Sequence, residues 1–244
     1  DSIEYPSMGP IAALYPGPQL LLGRRLYWTE KRDGSQLRIW AEDGIVHIAT
    51  RHQEASPQFA AYFNGTAQAE AVKELVTMEG SIPGVSDFGP YMVFGELLVK
   101  GKSPARYESH EVTEFIVFDL VDMNTGAWMP IPAAFQHALH YGVPFVEVYG
   151  ESEHTTLEEL FAFRDQMLTL ATKKGREGVV VKTLRDGAPL YAKEKRLRQN
   201  YRQRNPRLRL QHRHRRTNER SHRSRHTQHA HEPPRYSRRS PCKT

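Results

Sequence analysis

Eight short segments of this chain carry the period and composition of β-strands: Arg25–Lys31, Ser35–Glu42, Ile45–Arg51, Tyr91–Lys100, Thr113–Asp122, Pro144–Tyr149, Gly178–Leu184 and Leu190–Lys195. Leu26 and Trp28 in the first, and Leu37 and Ile39 in the second, alternate with other residues, as in a strand with one buried face. Tyr91–Lys100 and Thr113–Asp122 are rich in Val, Ile and Phe, which fit a pleated, packed surface. Asp43-Gly44 is a hairpin signal between the second and third segments, and Asn124-Thr125-Gly126 turns the chain after the fifth. Helices are expected over Gln68–Glu79 and Ala133–Tyr141. Another is expected to start at Thr155 and Thr156, where Glu158 and Glu159 three residues on form capping boxes. Leu157, Leu160, Phe161, Met167 and Leu168 give it an apolar face. Residues 1–23 read as a Pro- and Gly-rich lead-in. Many strands with few helices predict an α+β fold of two packed antiparallel sheets flanked by helices.

Charge divides the 244 residues in two. Residues 1–195 hold 18 Lys and Arg against 26 Asp and Glu, a net of −8, whereas residues 196–244 hold 16 against 2, a net of +14. The second stretch has almost no aliphatic residues after Leu210 and repeats Arg, His, Ser and Gln. It is expected to be a disordered Arg/His-rich tail behind a domain spanning residues 1–195. The single cysteine, Cys242, excludes an intrachain disulfide and fits a reducing compartment; a cytoplasmic location is the expectation. No apolar run reaches the roughly 18 residues of a membrane span, and no signal-peptide pattern or membrane partner is expected.

Within this strand-rich body, Glu30-Lys31-Arg32-Asp33-Gly34 puts four charges between two strands. Asp-Gly alone reads as a solvated hairpin turn. Four later stretches make that reading insufficient, each a strand carrying a functional type of polar group: Phe94–Leu97 (FGEL), Val117–Leu120 (VFDL), Glu177–Lys182 (EGVVVK) and Ala192–Lys195 (AKEK). KxDG alone is a weak signal, but KxDG followed in this order by the other four is a strong one.

This ordered set, over about residues 25–195, resembles the covalent nucleotidyltransferase superfamily of polynucleotide ligases and mRNA capping enzymes. The resemblance implies that Lys31 is the nucleophile, taking AMP from ATP. It implies that Lys193 and Lys195 touch the α-phosphate and that Lys182 helps to hold the nucleotide, with Glu177 and Glu96 serving metal and ribose. Phe118 is expected to stack on the base, Glu30 to belong to the nucleotide site, and Asp119 to support that strand or the nucleic acid. The implied cofactors are ATP and Mg²⁺ or Mn²⁺.

DNA ligases and capping enzymes usually read K-x-D-G-x-R, but here Gln36 follows Ser35. RNA ligases of the phage T4 second-ligase and RNA-editing type tend to read E-K-x-x-G-S/T-N, with an arginine some twenty residues past the lysine; Gln36 is one methylene longer than that Asn, and Arg51 stands at that distance. Resemblance to that group implies a role for Gln36 at the nucleotide and for Arg51 at the nucleotide phosphate or the RNA 5′-phosphate. DNA ligases and capping enzymes also carry an OB-fold after the final lysine pair; the 49 residues after Lys195 lack the apolar alternation for such a barrel.

The expected function is therefore an ATP-dependent RNA ligase acting on RNA ends, in a nicked duplex or a single strand. A DNA ligase or capping-type enzyme, and a non-catalytic nucleic-acid-binding protein, are the competing readings. The tail, with Arg213, Arg215 and Arg216, is expected to hold nucleic-acid phosphates without sequence preference. His212-x-His214 and His229-x-His231 read as part of that basic tail, and the body histidines show no zinc-site spacing.

Overall fold

The computed structural model describes residues 3–77 and 90–196. Its strands are β1 (Leu26–Lys31), β2 (Ser35–Glu42), β3 (Ile45–Ala49), β4 (Tyr91–Leu98), β5 (Glu114–Asp122), β6 (Val148–Ser152), β7 (Gly178–Arg185) and β8 (Ala188–Lys195). Its helices are α1 (Pro57–Asn64), α2 (Ala69–Thr77), α3 (Ile131–His140) and α4 (Leu157–Lys173), with 3₁₀ turns at Ile11–Ala13 and Pro18–Leu21. The strands form two antiparallel four-stranded sheets, ordered β6-β1-β7-β8 and β3-β2-β4-β5. The expected α+β architecture is thus observed.

Each sheet buries one face under helices. Leu26, Trp28, Val179 and Val181 of the first sheet pack with Leu160 and Ala171 of α4, and with Ile11 and Leu21 of the lead-in. Leu37, Ile39, Val93 and Val117 of the second sheet pack with Phe63 of α1, Val72 and Leu75 of α2, and Ala134 of α3. The opposite faces of the sheets approach through Phe94, Val121 and Tyr191, with Tyr5 of the lead-in among them. That period-two division of labour places polar side chains between the sheets.

Local signals explain several boundaries. α4 opens with a complete capping box: Thr156 accepts from the backbone N–H of Glu159, and the Glu159 carboxylate accepts from that of Thr156. Asp43 and Gly44 both have positive φ (50° and 75°), as do Asp186 and Gly187 between β7 and β8 (52° and 78°), the conformation that two-residue hairpins demand. Asp33-Gly34 differs. It carries the chain from β1 in one sheet to β2 in the other, so it is a crossing and not a hairpin.

Two sequence expectations are corrected. Pro144–Tyr149 is not one strand: Phe145 bridges Val117 in the second sheet, whereas β6 starts at Val148 in the first, because the chain passes between sheets inside this apolar run. β3 ends at Ala49, and Ala55 N–H returns to Ile48 O, so Arg51 lies in a turn. α1 was missed although Ser56 caps it and Pro57 occupies its first turn. The lead-in is irregular, yet Tyr5, Ile11 and Leu21 are core residues. The end expected for α2, at residues 78–80, and the whole tail from 197 lie outside the described residues. Among those described, no helix is long and apolar enough to cross a membrane.

Gly178 is the tightest point of the first sheet. A Cβ there would stand 2.0 Å from the carbonyl oxygen of Glu194 and 2.9 Å from Lys195 Cα, both backbone atoms of β8. We expect Gly178→Ala to destabilise the protein by about 2–4 kcal/mol in urea unfolding, because strands and not a side-chain tip must move. An unchanged unfolding midpoint would contradict this packing.

Candidate active site

The register of β1, β7 and β8 arranges the polar face of the first sheet in rows. Lys31 is opposite Gly178, which is opposite Lys195; Thr29, Val180 and Lys193 form the next row; Tyr27, Lys182 and Tyr191 the third. Glu177 lies one residue before β7, its side chain 3% exposed. One of its oxygens accepts from Lys31 Nζ and the other pairs with Lys195 Nζ at 2.5 Å. The β1–β7 edge is closed by Glu177 N–H donating to Lys31 O at 3.1 Å. Lys193 has its pKa lowered, first by burial and then by repulsion from Lys31, Lys195 and Arg51, against the pull of Glu177. Lys31 and Lys195 on the buried carboxylate, with Lys193 and Arg51 lining the same cleft, give this end an excess of positive charge suited to an anion.

The second sheet supplies the facing wall. Gln36 and Glu96 are cross-strand partners on β2 and β4. The Glu96 carboxylate accepts from Gly34 N–H at 2.9 Å. Its pKa is pushed up to about 7, by burial first and also by Glu177 and Asp33, although Lys31 and the Gly34 hydrogen bond favour the charged form. Gly34 has no room for a side chain: a Cβ would lie 2.6 Å from Leu97 O. The cleft between the walls encloses a cavity of about 200 Å³ and is partly open to solvent. Lys31, Gln36, Arg51, Glu96, Phe118 and Lys193 all line it, and Met8 and Val146 add apolar surface.

Most of the residues expected at the site are therefore brought together. Three of the expected residues are engaged by other side chains. Asp119 is fully buried and does not reach a nucleic acid: its carboxylate accepts from Tyr5 (2.6 Å), Lys182 (2.7 Å) and Tyr191 (3.1 Å). It braces the strand that carries Phe118, the other half of the sequence expectation. Lys182 borders the cleft, but its ammonium is bound to Asp119 and the Phe118 carbonyl and lies 5.2 Å above the Phe118 ring. Burial lowers the pKa of Lys182 against the opposing charge of Asp119, whereas burial, then that charge, raises Tyr5 and Tyr191 well above the usual phenol value, so both remain donors. Glu30 borders the cleft too, with its carboxylate turned to Arg176 (2.8 Å) and Arg32 (3.7 Å). Arg213, Arg215 and Arg216 lie outside the described residues. Among those described, no three or more His, Cys, Asp or Glu side chains cluster as a metal site.

A protein-family model described as RNA ligase matches residues 24–198. The chain belongs to the RNA ligase family. With it comes membership of the covalent nucleotidyltransferase superfamily. A search of curated proteins found no match. Among solved structures, an archaeal ATP-dependent RNA ligase is similar at 23% identity and a TM-score of 0.58, over 79% of this chain and 48% of that one. A Naegleria gruberi RNA ligase variant with ATP and Mn is similar at 18% identity and a TM-score of 0.57, over 79% and 56%. A putative ATP-dependent DNA ligase from Aquifex aeolicus is similar at 19% identity and a TM-score of 0.57, over 78% and 49%. These likenesses establish the ligase nucleotidyltransferase fold, and the chain spans about half the length of the structures it matches.

Two parts of this cleft were not singled out from sequence. Tyr5 reaches over the base of the cleft, edge-on to Phe118 with ring centroids 5.0 Å apart. The β4–β5 connection, residues 99–113, folds against Asp33: Ser103 Oγ and the N–H groups of Ala105 and Tyr107 all donate to its carboxylate. Burial raises the Asp33 pKa, but these hydrogen bonds outweigh it and the net shift is downward. The length of the connection was a signal, since hairpin loops typically run about 2–5 residues.

Glu96 gives a pH test. Its folded pKa of about 7 exceeds the ordinary 4.5, so the folded state binds the extra proton. The carboxyl therefore costs nothing below its unfolded pKa; it becomes destabilising as pH rises from about 4.5 to 7 and stays so above. We expect Glu96→Gln to match the parent in stability near pH 4.5 and to gain on it by about 1–3 kcal/mol by pH 8, in metal-free urea unfolding. A gain that is flat with pH would rule out the raised pKa.

Proposed function

We propose that the protein is an ATP-dependent RNA ligase. The observation that carries this reading is the setting of Lys31, a lysine whose Nζ touches a buried carboxylate and borders a cleft it shares with Lys193, Arg51 and Phe118. Lys31 Nζ attacks the α-phosphorus of ATP, forms a P–N bond and expels pyrophosphate. Glu177, already accepting from Lys31 Nζ, is the group placed to take the proton that the ammonium must lose. Lys193, Lys195 and Arg51 face the charge that develops on the phosphate oxygens. Phe118 offers its ring to the base, and Gln36 and Glu96 are near enough for polar contacts with the nucleotide. AMP then passes to an RNA 5′-phosphate, giving a 5′–5′ pyrophosphate; an RNA 3′-hydroxyl attacks that 5′ end, forms the phosphodiester and releases AMP.

The carboxylates of Glu96 and Glu177 fit a hard divalent cation, which takes oxygen ligands and completes its shell with phosphates and water. The pKa of Glu96 is raised by burial first and then by Glu177 and Asp33, and a cation beside it would favour its charged form. Mg²⁺ or Mn²⁺ bound there supplies neutralisation of the phosphate charge. The similarity to a Naegleria gruberi RNA ligase with ATP and Mn supports use of ATP and a divalent metal here.

We further infer that residues 1–195 are the adenylating unit and that the +14 stretch after them binds nucleic-acid phosphates, in an intracellular protein. The choice of RNA over DNA rests on the family and on Gln36, where DNA ligases carry arginine.

Incubation with α-³²P-ATP and a divalent metal should label the protein covalently, γ-labelled ATP should not, and GTP should not replace ATP. Lys31→Ala should abolish labelling with the fold intact by circular dichroism, and Lys193→Ala or Lys195→Ala should slow it by about 10²–10³. Labelling that survives Lys31→Ala would refute the nucleophile, and sealing of DNA with RNA ends refused would favour the DNA-ligase reading.

A chain ending at Arg196, which keeps that residue's bonds to Tyr107 and Glu177, should still form the adenylate but bind RNA more weakly. If about six to ten tail charges engage phosphates, the full chain loses about 10³–10⁵ in duplex affinity between 50 and 200 mM salt, and somewhat less for single strands. Equal salt slopes for the two chains, by fluorescence anisotropy, would remove the tail from binding.

A further inference from the structure

The residues flanking the nucleophile and its carboxylate partner are tied together by one side chain. Arg32 follows Lys31, and Arg176 precedes Glu177. Glu108, in the long β4–β5 connection, accepts through Oε2 from Arg32 Nε (2.8 Å) and Arg176 Nη1 (3.3 Å). Its Oε1 accepts from Asp33 N–H at 3.1 Å. The Glu108 side chain is 3% exposed and that of Arg32 9%. Glu30 completes a ring of two carboxylates and two guanidinium groups through its own pairs with Arg32 and Arg176.

We propose that Glu108 is a positioning residue for the adenylation reaction: it locks the β1–β2 crossing to the α4–β7 turn and so sets Lys31 against Glu177. The inference rests on the reading of Lys31 as nucleophile. The two chain segments it joins also meet through the β1–β7 pairing of Lys31 with Gly178, the bond from Glu177 N–H to Lys31 O, the Lys31–Glu177 contact and the Glu30 pairs. The geometry singles out Glu108 because it reaches both arginines and also binds Asp33 N–H at the crossing, where the chain leaves its sheet. The Glu108 connection is itself anchored. His110 bonds Asp33 O at 2.8 Å, and Arg196 donates to Tyr107 O at 2.6 Å while its own N–H reaches Glu177 O at 3.1 Å. The anchored connection can therefore hold a carboxylate at a fixed point between two arginines, and the planar guanidinium groups transmit direction as well as charge. A carboxylate buried in this way acts through the residues beside it and touches neither ATP nor RNA.

Glu108→Gln keeps the volume and one acceptor but not the charge that holds two guanidinium groups. In single-turnover labelling from α-³²P-ATP, we expect it to slow adenylation by about tenfold to a hundredfold at saturating ATP while half-saturation by ATP changes less than about threefold. Glu108→Asp should recover part of the rate. In a Glu177→Gln background the same substitution should add less than about twofold, because the contact it positions is already lost. Loss of the same factor in both backgrounds, or a loss confined to half-saturation, would overturn the proposal. If Glu108→Gln does not fold, Arg176→Lys, which keeps the charge but not the two-way geometry, is put through the same cycle with the same criteria. Absence of label in the parent protein would refute the nucleophile reading itself, an outcome distinct from a labelled parent with a fully active Glu108→Gln.

Discussion

A buried carboxylate holding two ammonium groups organises this molecule. Glu177 sits where β7 begins, and Lys31 and Lys195 come to it from the ends of the strands on either side. Both lysines point the same way because each is an even number of residues from cleft-facing neighbours on its own strand, and both are level with Gly178 in the register. Gly178 must lack a side chain for β8 to pass so close. A one-residue slip of β8 would turn Lys193 and Lys195 into the apolar core and bring Ala192 and Glu194 out. The packing of Val179, Val181 and Ala192 under α4 is thus also what aims the cations at the cleft.

A second buried carboxylate sets the other half of the cleft. Asp119 collects Lys182 from the first sheet, Tyr191 from the same sheet and Tyr5 from the lead-in. A carboxylate and an ammonium buried together are costly unless their remaining hydrogen bonds are satisfied, and here the two phenols and the Phe118 carbonyl satisfy them. The arrangement fixes the relative position of the sheets next to Phe118. The two carboxylates divide the work between them: Glu177 gathers the groups proposed to face phosphate, and Asp119 holds the ring proposed to face the base.

The ionic ring around Glu108 joins these halves at the crossing from β1 to β2. That crossing is where KxDG departs from a hairpin. Asp33 is wrapped by Ser103, Ala105 and Tyr107, and Gly34 is pressed against Leu97 O. The aspartate and the glycine of the motif thereby position the lysine, the proposed nucleophile, and their residue types follow from the hydrogen bonds and from the close approach.

Local pattern was enough to read most strands, the capping box of α4, the hairpin at Asp43-Gly44 and the ordered set of polar residues at the cleft, because each depends on neighbours within a few positions or on alternation with period two. The site residues that were legible are those at the strand positions of that ordered set. Three-dimensional packing alone decided the rest. That Pro144–Tyr149 divides between two sheets, that Asp119 is buried under Tyr5 and Tyr191, and that Glu108 meets Arg32 and Arg176 all depend on contacts between residues dozens to more than a hundred positions apart. The sequence by itself determined which strands alternate and which residues carry charge. The tertiary structure decided which of those charges face the cleft and which neutralise one another, because pairing is a matter of distance in space and burial makes an unpaired charge too costly to leave.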